Sequence, residues 1–263
     1  MAFSYHKIAT ALDESKGLCL FLDYDGTLAD FSDSPEKIEP VKDVIRLLTA
    51  LRDEKCIRAA VVSGRRLAHL RNLIPIEGIT LAGTYGIEIL DAEGNTLHQA
   101  AYTDLRPTLE KIKPIWQALI EDNQAFFLED KGWSLALHAR FVEDSIAADR
   151  LEKAKKSAHI LADNTAFQII PGHKFLEVSP VSANKGNCVR SLLNMYPPAE
   201  DDAIIYMGDD DKDEQAFKVV HEAGGWAIRV CSNVINEPIE DWRIEDPAAA
   251  RAWLWSLLDQ FSN

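Results

Sequence analysis

At 263 residues, with 47% apolar and 27% charged side chains, the chain has an ordinary globular composition and enough length for a full hydrophobic core plus a smaller partner domain. A formal net charge of -14 excludes the basic stripes that nucleic acid or an anionic membrane would need, so neither partner is expected, although local lysines and metal ions can still receive a small anion. The four cysteines are scattered with no CxxC pair, the opening "MAFSYHKIATALDESKG" lacks the pattern of a secretory signal, and no apolar run nears the ~20 residues of a membrane helix, so a reducing cytoplasm is the expected location.

In chain order, "LCLFLDYD" reads as a buried strand running into two aspartates. The helical spacing of Val41, Val44, Ile45, Leu48 and Leu51 predicts a helix over "PVKDVIRLLTALRDEK". "IRAAVVSG", "LAHLRNLI" and "ITLAGTYG" follow as strand, helix and strand, the alternation of a parallel sheet covered by helices. The middle changes character. "LRPTLEKIKPIWQALIEDN" is helical, with Pro107 and Pro114 predicting a late start or a bend. "AFFLED" and "WSLALHAR" read as strands joined by "DKG"; a long helix over "DSIAADRLEKAKKSAHILAD" leads to a strand pair in "FQIIPGHKFLEVSP" that bends at Pro171-Gly172. After Pro180 the first pattern resumes with "NKGNCVRSLLNMY", "AIIYMGDDDKDE", "EQAFKVVHEAG" and "WAIRV", closing in a helix that Asp246 is placed to cap. The expected fold is therefore α/β: a Rossmann-like parallel-sheet core from residues 1–103 and 181–263, with an inserted α+β domain over 104–180 whose antiparallel sheet carries helices on one face.

Functional groups in open parallel sheets gather at the carboxyl ends of the strands. Four polar clusters fall there: "DYDGT" at 23–27, "SGR" at 63–65, "NKG" at 184–186 and "GDDDKDE" at 208–214. Asp23 and Asp25 lie two residues apart, so one can serve as nucleophile and the other as general acid and base. The alternatives are a calcium loop, which needs glycine at its sixth position whereas here Gly26 is fourth from Asp23, or a solvated turn, which would not need the buried strand before it. The acidic run with Asp209, Asp210, Asp211 and Asp213 suits a hard cation such as Mg²⁺ or else a solvated loop. Lys185 opens a helix and supplies a counter-charge for an anion. Ser63 offers a hydroxyl and a backbone N–H to a phosphoryl oxygen. No GxxxxGK[ST], GxSxG or HExxH motif is present. Together these groups fit phosphoryl transfer through an aspartyl phosphate.

These motifs resemble the four of the haloacid dehalogenase (HAD)-like phosphatases, in order. Over nearly its whole length, including "LEDKGWSLALHAR" and "FLEVSPVSANKG", the chain is similar to the trehalose-6-phosphate phosphatase family. The resemblance implies that Asp23 attacks phosphorus, that Asp25 protonates the leaving oxygen and then activates water, and that Mg²⁺ is held by Asp23, the Asp25 carbonyl and Asp209, with Asp213 in support. It implies that Ser63, Gly64 and Lys185 grip the phosphoryl group, and that Arg65, Glu129, Lys131 and Glu177 contact a sugar phosphate under a closing cap. It further implies a functional link to a trehalose-6-phosphate synthase. The family usually carries Thr where Lys212 stands and His where Tyr85 stands, so the identity of the sugar stays open between trehalose 6-phosphate and related glycoside phosphates. A non-catalytic sugar-phosphate-binding subunit is the reading from another class.

Overall fold

The computed structural model describes residues 2–30, 39–98, 100–161, 165–232 and 238–261. In chain order the elements are α1 (Ala2–Glu14), β1 (Gly17–Leu22), α2 (Lys42–Asp53), β2 (Ile57–Val62), α3 (Leu67–Leu73), β3 (Thr80–Gly83), a 3-10 turn at Thr84–Gly86, β4 (Glu88–Leu90) and β5 (Thr96–His98). Then come α4 (Tyr102–Ile120), β6 (Phe127–Asp130), β7 (Leu135–His138), α5 (Asp144–Leu161), β8 (Phe167–Gly172) and β9 (Phe175–Pro180). The chain ends with α6 (Lys185–Met195), β10 (Asp202–Gly208), α7 (Glu214–Glu222), β11 (Trp226–Val230), β12 (Trp242–Ile244) and α8 (Pro247–Phe261). Two compact units divide it, one from residues 1–97 and 184–263, the other from 98–183.

The first unit is built on a sheet of order β12-β11-β10-β1-β2-β3-β4-β5, parallel from β12 to β3, with β4 antiparallel to β3. All six residues of β1 are buried, as befits a central strand covered on both sides. Alternation sorts them: Leu18, Leu20 and Leu22 join α2, α3 and α8 side chains in one apolar cluster, while Cys19 and Phe21 join Val189 and Leu192 of α6 and Phe217 and Val220 of α7 in another. Asp246 caps α8 as expected, its Oδ1 accepting from the Ala249 N–H at 2.7 Å. The short strands β4, β5 and β12 were not foreseen. Each has three residues, and those of β5 are all exposed, so none offers an apolar run or an alternation to read.

The second unit holds an antiparallel sheet, β6-β7-β9-β8, with α4 and α5. Two expectations need correction here. Of the late start or bend expected from Pro107 and Pro114, the late start does not occur: α4 begins at Tyr102 and runs through both prolines, held by the burial of Leu105, Leu109, Ile112 and Trp116. The bend between β8 and β9 falls after Pro171-Gly172, because Gly172 still pairs with Phe175 and the turn is made at His173 and Lys174, the latter at φ 52°. One sheet face carries Leu128, Leu135, Leu137, Leu176 and Val178, and on that face Asp130 reaches Arg106 and Lys113 of α4 at 2.7 and 2.8 Å. That is the face covered by helices. Among the described residues no helix is long and apolar enough to cross a membrane.

Trp116 is fully buried and its Nε1–H donates to the Ala154 carbonyl of α5 at 3.1 Å, so it joins the two helices by packing and by a hydrogen bond. Trp116→Ala is expected to lower stability by about 3–5 kcal/mol in urea denaturation. Alanine at the exposed Lys111 of the same helix is expected to change it by no more than about 0.5 kcal/mol.

Candidate active site

The parallel register brings the strand ends to one rim. Leu22 of β1 is level with Met207 of β10 and Val61 of β2, and the Asp23 N–H donates to the Met207 carbonyl at 2.9 Å. Alternation carried one residue beyond β1 puts Asp23 on the Cys19/Phe21 side, the side of α6 and α7. There it meets Lys185, the first residue of α6, whose start is fixed by the Asn184 side chain accepting from the Asn187 N–H.

Lys185 Nζ lies 2.7 Å from Asp23 Oδ1 and 2.6 Å from Asp213 Oδ1, and all three side chains are buried. Asp213 spends both oxygens on holding the site together. Its Oδ1 also accepts from the Tyr206 hydroxyl at 2.5 Å, and its Oδ2 accepts from the backbone N–H groups of Asp209 and Asp210 at 3.1 Å each. Gly208 permits this close approach, since a Cβ there would stand 2.2 Å from Asp213 Cγ. Burial pushes the Asp23 carboxyl well above the usual range, with Asp213 and Asp209 adding to the effect and Lys185 opposing it. Burial, then Asp210 and Asp213, raise Asp209 to about 7. Burial works against the ionised form of Asp213 too, but Lys185, Tyr206 and the backbone donors hold it below the ordinary value.

Two further groups complete the rim. Arg65 grips Asp25 in a bidentate pair, Nε and Nη2 each 2.6 Å from a carboxylate oxygen. Gly26, at φ 83°, makes the tight turn after Asp25, and Thr27 Oγ1 lies 3.3 Å from Asp23 Oδ2. Ser63 is buried at the end of β2 with its hydroxyl accepting from the Arg65 N–H at 3.2 Å. The expectation that its backbone N–H serves a phosphoryl oxygen is corrected. That N–H donates to the Ala82 carbonyl at 2.9 Å, because the β2–β3 ladder runs one residue past the strand. Gly64 has room for no side chain, a Cβ there falling 2.7 Å from the Tyr85 ring.

In the second unit, register aligns Glu129, Ala136, Glu177 and Ile170 across the sheet face away from α4. Glu177 is fully buried; its oxygens lie 3.3 and 3.2 Å from Lys131 Nζ, and Ser134 Oγ donates to one of them at 2.7 Å. His138 Nε2 lies 3.1 Å from Glu129 Oε2. Ser179, on the same face, buries a hydroxyl with no hydrogen-bond partner among the described residues.

Sequence reasoning overlooked Tyr206, Arg229 and the Arg65–Asp25 pair. Arg229, buried in β11, donates to the Asp209 and Asp210 carbonyls at 3.4 and 3.2 Å and pairs with Glu214 and Glu240 at 3.0 and 3.1 Å, so it braces the acidic loop from behind. A charge inside the apolar "WAIRV" was the available signal. Asp23, Asp209 and Asp213 offer carboxylate oxygens within 4.8 Å of one another, an all-oxygen donor set with more negative charge than one lysine balances. Such a set suits a hard divalent cation.

Residues 21–246 match the profile of the trehalose-phosphatase family. Trehalose-phosphate phosphatase B of Arabidopsis thaliana is 28% identical over 94% of this chain and 67% of its own length. The C-terminal domain of C. albicans trehalose-6-phosphate phosphatase superposes with a TM-score of 0.83 at 22% identity, covering 97% of this chain and 96% of that one. The C-terminal domain of a Candida albicans trehalose synthase regulatory protein shares the fold with a TM-score of 0.75 at 15% identity, covering 95% and 97%. A haloacid dehalogenase-like hydrolase from Bacteroides thetaiotaomicron shares the α/β fold with a TM-score of 0.63 at 15% identity, covering 92% of this chain and 100% of that one. With its family profile matched from strand β1 to the start of α8, the chain belongs to the trehalose-phosphatase family and is a phosphatase.

Proposed function

We propose that this phosphatase hydrolyses trehalose 6-phosphate to trehalose and inorganic phosphate through an aspartyl phosphate on Asp23. The observation that carries the reading is the meeting of Asp23, Lys185, Ser63 and the Asp209 loop at one rim, with a second carboxyl, Asp25, two residues from the first. An Asp23 oxygen attacks phosphorus while the leaving sugar oxygen takes a proton from Asp25. Asp25 then draws a proton from water, which attacks the acyl phosphate and frees Asp23. Lys185 and the Ser63 hydroxyl, with Gly64, steady the phosphoryl oxygens. Arg65 holds Asp25 at the rim through its bidentate pair and is assigned to contact the substrate. Mg²⁺ held by Asp23, Asp209 and the Asp25 carbonyl, with Asp213 behind them, would neutralise phosphoryl charge.

Substrate selection is assigned to the polar sheet face of the second unit, which we read as the cap domain. Glu129, Lys131 and Glu177 provide acceptors and a donor of the kind that sugar hydroxyls pair with, and the Ser179 hydroxyl adds to them. The reading places the chain downstream of a trehalose-6-phosphate synthase in the cytoplasm. The rival reading, a sugar-phosphate-binding subunit without turnover, draws on the fold shared with a regulatory protein. Retention of Asp23, Asp25, Lys185 and Asp209 weighs against it.

Asp23→Asn is expected to cut phosphate release from trehalose 6-phosphate by at least about a thousandfold while the circular dichroism spectrum stays that of the parent. Wild-type-like turnover in that variant would remove the nucleophile. EDTA is expected to abolish activity and added Mg²⁺ to restore it. Asp209, raised to about 7 without a cation, is protonated below that pH, and proton and metal compete for it. Mg²⁺ affinity by calorimetry is therefore expected to weaken from pH 8 to pH 6; a constant value would detach Asp209 from the metal site. In the second unit, Lys131→Ala would strand the buried Glu177 carboxylate, so the partly exposed Glu129 is the cleaner probe. Glu129→Gln is expected to raise KM for trehalose 6-phosphate several-fold more than KM for a small aryl phosphate, and equal changes would take this residue out of sugar recognition.

A further inference from the structure

We propose that Tyr85 is a positioning residue that sets the spacing of the loops gripping the phosphoryl group, and that Lys212 acts through it. The inference rests on the phosphoryl-transfer reading above. Tyr85 sits in the 3-10 turn after β3, where Thr84, Tyr85 and Gly86 follow one another at φ 50°, 55° and 90°. A left-handed backbone is natural for glycine and strained for a bulky aromatic, so surrounding contacts must hold Tyr85 there.

Those contacts lead to the proposed site on three sides. The Tyr85 N–H donates to the Ser63 carbonyl at 2.9 Å, and the Thr84 N–H donates to the Arg65 carbonyl at 2.6 Å, which fixes the loop after β2. The Tyr85 carbonyl accepts from the Asn184 N–H at 3.1 Å, and Asn184 caps the helix that Lys185 opens. The ring lies against Gly64, and its hydroxyl accepts from Lys212 Nζ at 3.3 Å, with that ammonium 5.6 Å from the ring centroid. Lys212 stands next to Asp213 in the acidic loop, and its own N–H donates to Asp210 Oδ1 at 2.9 Å. One strained residue thus bonds to the loop carrying the serine hydroxyl, to the helix start carrying the lysine and to the loop carrying the carboxylates.

A turn that only packs would affect thermal stability and leave phosphate affinity alone. Tyr85→Phe keeps the ring over Gly64 and every backbone bond while removing the hydroxyl that accepts from Lys212; Lys212→Met removes the donor from the other side. Inorganic phosphate, titrated calorimetrically with Mg²⁺ present and tested as a competitive inhibitor, is the probe. Each single variant is expected to weaken phosphate binding by about three- to tenfold with an unchanged Tm, and the double variant to be no weaker than the worse single. Lys212→Arg, which keeps a donor and a cation over the ring, is expected to restore most of the affinity. The loss in kcat/KM is expected to be the same for trehalose 6-phosphate and for an aryl phosphate, because the altered loops hold the group the two substrates share. Unchanged phosphate affinity in both singles, or additive losses in the double, would overturn the inference. Asp23→Asn measured alongside separates the premises: an active Asp23→Asn enzyme overturns the underlying site, whereas an inactive one with an additive cycle overturns the role of Tyr85 alone.

Discussion

The site depends on one buried ammonium. Lys185 lies between Asp23 and Asp213 with almost no solvent contact, and Asp209 and Asp210 stand close by, so a single fixed cation faces several carboxylates. Desolvating such a group costs several kcal/mol per ion, and a well-packed apolar replacement is often at least as stable. The arrangement therefore contributes little to folding that leucines could not, and the proposed phosphoryl transfer would give it a use that leucines could not serve. Its survival relies on full hydrogen bonding: both Asp213 oxygens are engaged, by an ammonium, a phenol and two backbone N–H groups. Arg229 then fixes the carbonyl side of the same loop, so the loop is held from front and back.

The sheet makes this possible by sorting side chains. A central strand buried on both faces has nowhere to put a charge until it ends, and the first residue past β1 is Asp23. The parity that sends Cys19 and Phe21 toward α6 and α7 sends Asp23 to the same side, where two helices begin. The start of α6 presents Lys185, and the residue preceding α7 is Asp213. Gly208 and Gly64 each stand where a Cβ would strike a neighbour at this rim, Asp213 in one case and the Tyr85 ring in the other.

Local pattern exposed the parts of this architecture that local pattern builds. Apolar runs ending in acids located β1 and β10, and the four polar clusters lie at the ends of the parallel strands or at the helix that Lys185 opens. Contacts made by tertiary packing left no such trace. Nothing in "SGR" says that Arg65 will clasp Asp25 forty residues earlier, or that the ladder will consume the Ser63 N–H. The left-handed turn at Tyr85 runs against residue preference, since Thr and Tyr are poor candidates for positive φ. β5 and β12 are short edge pieces whose pairing partner, not whose composition, makes them strands.

The two units also solve the problem of buried polarity differently, and the difference bears on what each can select. In the first unit the carboxylates at the strand ends outnumber their counter-charges, an imbalance that a bound cation would correct and that an anionic group alone would worsen. In the second, Lys131, Ser134 and Glu177 already satisfy one another. On the reading proposed above, a sugar hydroxyl engaging this trio would gain little by adding a bond, because it would have to replace one. The discrimination such a network offers comes from rejection: a ligand that breaks the Lys131–Glu177 pair without supplying a matching donor and acceptor leaves a buried charge exposed to no partner, which costs more than a missing contact at a solvated surface. The two units thus hold buried charge under opposite electrostatic conditions, a deficit of positive charge in one and a closed balance in the other.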